Sequence, residues 1–142
     1  MIRFTRDPWD PRSLQGPAVA IVLLALLASV TSLANGFAYD DRWIIADNPN
    51  VHDPAHWWNV FGETYWPTTR NAALYRPLTI LAYQVQWAVG GADPLLFHTV
   101  NVILYAAVSA MVLLVAAEVM PFAAAWVAAA LFAVHPVHVE AV

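Results

Sequence analysis

The sequence predicts an all-α membrane protein with about three transmembrane helices and a large extracytoplasmic first loop that contains interfacial helices. Three observations predict it. Of the 142 residues, 61% are hydrophobic and only 11% charged, whereas a soluble domain carries about 25% charged residues. The run from Ala18 to Ala34 holds seventeen uncharged residues. A second run, Pro94 to Ala117, contains no Asp, Glu, Lys or Arg.

Composition also excludes some functions. The net charge is −4 and no basic cluster exists, so nucleic acid is not a partner. There is no cysteine, which rules out a disulfide framework and a thiolate metal site. Every basic residue is Arg, and Ala is abundant. That usage points to a GC-rich bacterial genome, and so to a bacterial inner membrane.

The elements follow in order. Residues 1–16 read as a cytoplasmic tail, where Pro8 and Pro11 argue against a long helix. Pro17 suits a first helical turn, because its missing N–H costs nothing there. The first span is expected over 17–36. Its apolar core exceeds the roughly 7–15 residues of a signal-peptide core, so a retained anchor is expected. Arg3, Arg6 and Arg12 precede it, which places the N-terminus in the cytoplasm.

The loop, 37–93, is acidic and aromatic. "ADNPN" signals a turn, and "DPAHWWNVF" a short helix capped by Asp53 with Pro54 at its first position. "PLTILAYQVQWAV", 77–89, is too short to cross a bilayer and predicts an interfacial helix. Gly90 and Gly91 end it, and Asp93 and Pro94 start the second span, 94–118. Glu118 and Pro121 mark a tight turn before a third span, 121–138. Its apolar part is short, so the helix is expected to run on into "HPVHV", with alanine faces suited to close packing. This topology returns "HPVHVEAV" to the side that carries Asp40 and Asp41.

The polar residues next to these spans are the candidates for chemistry. Adjacent carboxylates at Asp40 and Asp41 point in different directions and can divide roles, one of them as a general base. The plainer reading is a helix cap or a solvated loop end. Arg76, in "LYRPL", stands where the polar loop meets an apolar helix. It suits a phosphate oxygen or a snorkelling anchor. Arg42 can face a phosphate or neutralise Asp41. His135, His138 and Glu140 offer two nitrogens and an oxygen to a divalent metal. However, Pro136 interrupts the spacing, and carbonyl-bonded interfacial histidines are the alternative.

Four stretches, "FAYDDRWIIADNPNV", "YRPLTILAYQVQW", "DPLLFHTVNVILY" and "AALFAVHPVHVEAV", occur here in order. Together they resemble the N-terminal membrane part of the transmembrane and tetratricopeptide-repeat O-mannosyltransferase family and its bacterial relatives, a branch of the GT-C glycosyltransferases. The resemblance implies transfer of a sugar such as mannose from a polyprenyl-phosphate donor in the bilayer to a hydroxyl acceptor, for example protein Ser or Thr, with inversion. Asp40 or Asp41 would be the base. Arg42 and Arg76 would hold the phosphate, and His135, His138 and Glu140 would line the same pocket. Neither metal nor cofactor is implied. Members of that family have many more spans and a repeat array, so an N-terminal fragment is expected. The alternatives are a non-catalytic membrane scaffold or truncated relic, and a metal-dependent hydrolase built on the histidines.

Overall fold

The computed structural model describes residues 11–66 and 74–141, with the side chains of 11–13 and 139–141 left aside. Among the described residues all regular structure is helical. Helix α1 (Pro11–Ser29) continues as a 3-10 turn over Val30–Ala34. A π-helical turn (Arg42–Ala46), α2 (Pro49–His52) and a 3-10 segment (Pro54–Phe61) build the loop. Then come α3 (Pro77–Gly90), α4 (Pro94–Val119), α5 (Phe122–Val134) and a closing 3-10 segment, Pro136–Ala141.

Two helices are long and apolar enough to cross a bilayer, Leu14–Ala34 and Pro94–Val119, and Phe122–Val134 is a shorter apolar helix. Two sequence expectations need correction here. First, α1 begins at Pro11 and carries Pro17 inside it. Pro11 takes the tolerant first position, and Pro17 removes one backbone donor further along. The rest of the expected tail, residues 1–10, lies outside the described residues. Second, α5 does not run on into the histidines. It stops at Val134, and His135 is extended at φ −71° and ψ 127°. The cause is Pro136, whose ring disfavours helical geometry in the residue before it.

The chain forms two compact units, Met1–Leu33 with Thr99–Val142, and Ala34–His98. In the first, Ala125, Ala129 and Ala133 make a buried stripe on α5 that packs with Ile21 and Ala25 of α1. Ala106, Leu113 and Ala116 of α4 join the same core. Alanine at every fourth position lets helix backbones approach closely, which is how helices associate where burial from water supplies no drive. The Tyr105 hydroxyl donates to the Phe132 carbonyl at 2.8 Å and so ties α4 to the end of α5.

The second unit has its own core: Ile44, Ile45, Val51, Val60, Tyr65, Ile80 and Phe97. Turn chemistry arranges it. The "ADNPN" stretch forms the start of α2: the Asn48 side chain accepts from the Asn50 N–H at 3.0 Å, and Pro49 begins the helix. Asp53 does not cap the next segment as expected. Its carboxylate instead accepts from the His56 ring at 2.7 Å. Asp93 does cap α4, accepting from the Leu95 N–H at 3.0 Å.

Helix α3 is polarised in reverse. Gln84 is 2% exposed, while Leu78 and Val89 are 70% and 77% exposed. The Gln84 amide donates to the Asn50 carbonyl at 2.6 Å and binds α3 to α2. Gly91 then turns the chain toward α4 with φ 60° and ψ −137°, a backbone combination open to glycine. Replacing Gly91 by Ala should cost about 1–3 kcal/mol of strain. A lowered thermal midpoint, with faster amide exchange in this turn, is the expected measurement.

Candidate functional site

The acid pair sits on a strained bend. Tyr39 has φ 49°, a left-handed conformation that is uncommon for a non-glycine residue and costs roughly 1–2 kcal/mol. The bend lets the Asp41 carboxylate fold back and accept from the Ala38 N–H at 3.2 Å. The Asp40 carbonyl accepts from the N–H groups of Trp43 and Ile44 at 2.9 and 2.8 Å, which launches the π-helical turn. The two acids therefore differ. The half-buried Asp41 closes its own loop. Asp40 is exposed, and among the described residues no hydrogen bond or ion pair engages its carboxylate.

Two phenols stand beside them. Tyr65 is buried, and its ring packs in the core of this unit. Burial pushes the Tyr65 phenol above its ordinary value of 10.0, and the Asp40 charge adds to the rise. The neighbouring Tyr83 phenol and the Arg76 charge oppose it. Tyr83 is pushed up as well, first by burial, then by Tyr65, Asp41 and Asp40. Both phenols thus remain neutral O–H groups beside two carboxylates. Linkage gives the consequence. Below pH 10.0 both folded and unfolded chains hold the phenol protons, and the stabilisation is intact. Above that, the unfolded chain ionises first and stability falls as pH rises toward the folded values. Phenolate absorbance during an alkaline titration should therefore appear together with unfolding of this unit.

Arg76 precedes α3, and its carbonyl accepts from the Thr79 and Ile80 N–H groups. Its guanidinium lies 5.2 Å from the centre of the Tyr65 ring, over the face. Arg42 is exposed on the π-helical turn, and among the described residues no ion pair joins it to Asp41. The neutralising role considered for Arg42 is not what the fold displays.

The histidines come together in the first unit. His135 is exposed, and its Nδ1 accepts from the Val137 N–H at 3.2 Å. That bond requires an unprotonated Nδ1 and places the neutral ring's proton on Nε2. The half-buried His138 ring lies 4.3 Å from Phe132 and 5.3 Å from Tyr105, with 6.1 Å between the two imidazole centres. The backbone of Glu140 belongs to the same 3-10 segment. Among the described residues no group of three potential ligands is placed to hold a metal ion.

The fold therefore sets Arg76 over the Tyr65 ring, in the unit that also carries the acid pair, and separately pairs His135 with His138. Mouse protein O-mannosyl-transferase TMTC1 is 38% identical over 144 residues, which is 93% of this chain. The human protein of that name is 37% identical over 89% of the chain, and mouse TMTC3 is 35% identical over 78%. This chain belongs to the TMTC family of protein O-mannosyl-transferases. It spans about 15% of the length of the TMTC1 relatives. No family model matches the chain, and no solved structure matches it either.

Within this TMTC family segment, Tyr65 and Tyr83 are the site residues that sequence reasoning missed. Tyr83 carried a signal: it stands next to Gln84 in a helix that is otherwise almost entirely apolar. Tyr65 carried none, since it is one aromatic among many in the loop.

Proposed function

We propose that this segment supplies the donor-facing acids of a membrane mannosyltransferase, which moves mannose from a polyprenyl-phosphate carrier to a hydroxyl of an acceptor protein. The observation that carries the reading is the Asp40 carboxylate. It is exposed and unengaged among the described residues, a few positions beyond an apolar span, and it flanks the same phenol as the Arg76 cation.

In this reading Asp40 is the base. It takes the proton as the acceptor oxygen attacks the anomeric carbon. The bond from that carbon to the phosphate oxygen breaks, the lipid phosphate departs with the electron pair, and the configuration inverts. Arg76 balances the charge that grows on the leaving phosphate. Asp41 is a positioning residue, holding the bend that aims Asp40. Arg42 is a second phosphate contact. The N-terminus is cytoplasmic, so the chemistry takes place on the opposite face of the membrane.

The test is transfer by membranes that contain the complete protein, supplied with polyprenyl-phosphate mannose and an acceptor peptide. Mannosylated peptide that requires both the lipid donor and an intact Asp40 is expected. Equal product from membranes lacking the protein, or from a nucleotide-sugar donor after the lipid donor is removed, would overturn the reading.

A further inference from the structure

The arrangement around Tyr65 raises a question that the acids and the cation alone do not answer. Asp40 and Arg76 both act on the Tyr65 phenol, yet among the described residues no ion pair joins them. A paired Arg76 would be lost to a phosphate, and a paired Asp40 would be a poorer base, because a neighbouring cation favours the charged carboxylate.

We propose that Tyr65 is a positioning residue whose ring face holds the Arg76 guanidinium as an aromatic shelf, keeping the cation off Asp40 and available to an anionic phosphate. The inference rests on the mannosyltransferase reading for the identity of that phosphate. The shelf is a fixed one. Tyr65 is 7% exposed, and its N–H donates to the Leu74 carbonyl at 2.9 Å. Its ring meets Trp66 edge-on with centres 5.6 Å apart, and Tyr65 and Phe97 belong to one core against which Tyr83 packs. Arg76 above the Tyr65 ring is exposed. A cation over a ring face is attracted by the ring quadrupole, so the tyrosine attracts Arg76 without neutralising it. A carboxylate in its place would remove the charge that the phosphate needs.

The test grades the ring face without changing its shape. Phenylalanine and its mono-, di- and trifluorinated forms are placed at position 65 of the complete protein in lipid nanodiscs. Binding of polyprenyl phosphate, without sugar, is then measured. Tyr65→Phe should bind within about twofold of wild type, and successive fluorination should weaken binding to a total of about two- to fivefold. In an Arg76→Gln background, which binds weakly by itself, the fluorination series should be flat.

Three results would overturn the shelf. One is a flat series with Arg76 present. Another is a slope that persists in Arg76→Gln, which would make the ring a matter of packing alone. The third is wild-type binding by Arg76→Gln, which would remove Arg76 from the phosphate. Failure of the mannosyltransferase reading looks different: the graded binding survives, and no mannose is transferred from the lipid donor.

Discussion

On the mannosyltransferase reading proposed above, Asp40→Asn is expected to lower the rate of mannose transfer by about 10²–10⁴-fold, the usual contribution of a positioned general base. Asp41→Asn should do less. The difference comes from the bend at Tyr39. The Asp41 carboxylate is already committed to the Ala38 N–H, and an asparagine side-chain oxygen can accept the same bond. Asn at position 40 keeps the shape of the residue and removes its capacity to take a proton. Both variants should insert normally, since neither carboxylate packs in the core of the second unit. Initial rates for the two variants at saturating donor, in membranes with matched protein levels, check the ranking. Full activity in Asp40→Asn, or a deeper loss in Asp41→Asn, would reverse the assignment.

The second large effect is on stability. Phe97 is 2% exposed, at the start of α4. Its ring meets Phe37 edge-on at 5.4 Å and leans on Tyr83 at 6.0 Å. Phe97→Ala should therefore destabilise the Ala34–His98 unit by about 3–5 kcal/mol, through lost burial and the cavity left behind. A comparable fraction of a typical domain's whole stability is at stake. The loss should be local. Amides of α3 and of the loop should exchange faster, while the alanine-packed helices α1 and α5 keep their protection. Uniform loss of protection across both units would contradict the division of the fold.

How legible this was in the sequence depended on range. All-helical membrane character followed from composition and apolar runs alone. Local punctuation was readable too, because its physics lies within a few residues: the carboxylate of Asp93 reaches the Leu95 N–H, and Gly91 adopts a positive φ. Span length points past the true end of α5, which is set by the local effect of Pro136 on His135. The Asp53 cap that the sequence suggests does not form, because His56 takes the same carboxylate. The acids and Arg76 are legible as candidates from their position beside apolar segments. The phenols between them are not, since Tyr65 and Tyr83 meet only once the loop has folded. Nor did the sequence distinguish Asp40 from Asp41. That distinction rests on one backbone angle at Tyr39, a residue whose side chain gives no hint of it.

The reversed polarity of α3 has a practical consequence for anyone handling this loop. Excised as a peptide or expressed as a stand-alone domain, it would present Leu78, Val85 and Val89 to water, a recipe for precipitation. Swapping core residues would not cure that. A tractable version needs lysine or glutamate at those outer positions, with Gln84 left in place as the internal strap.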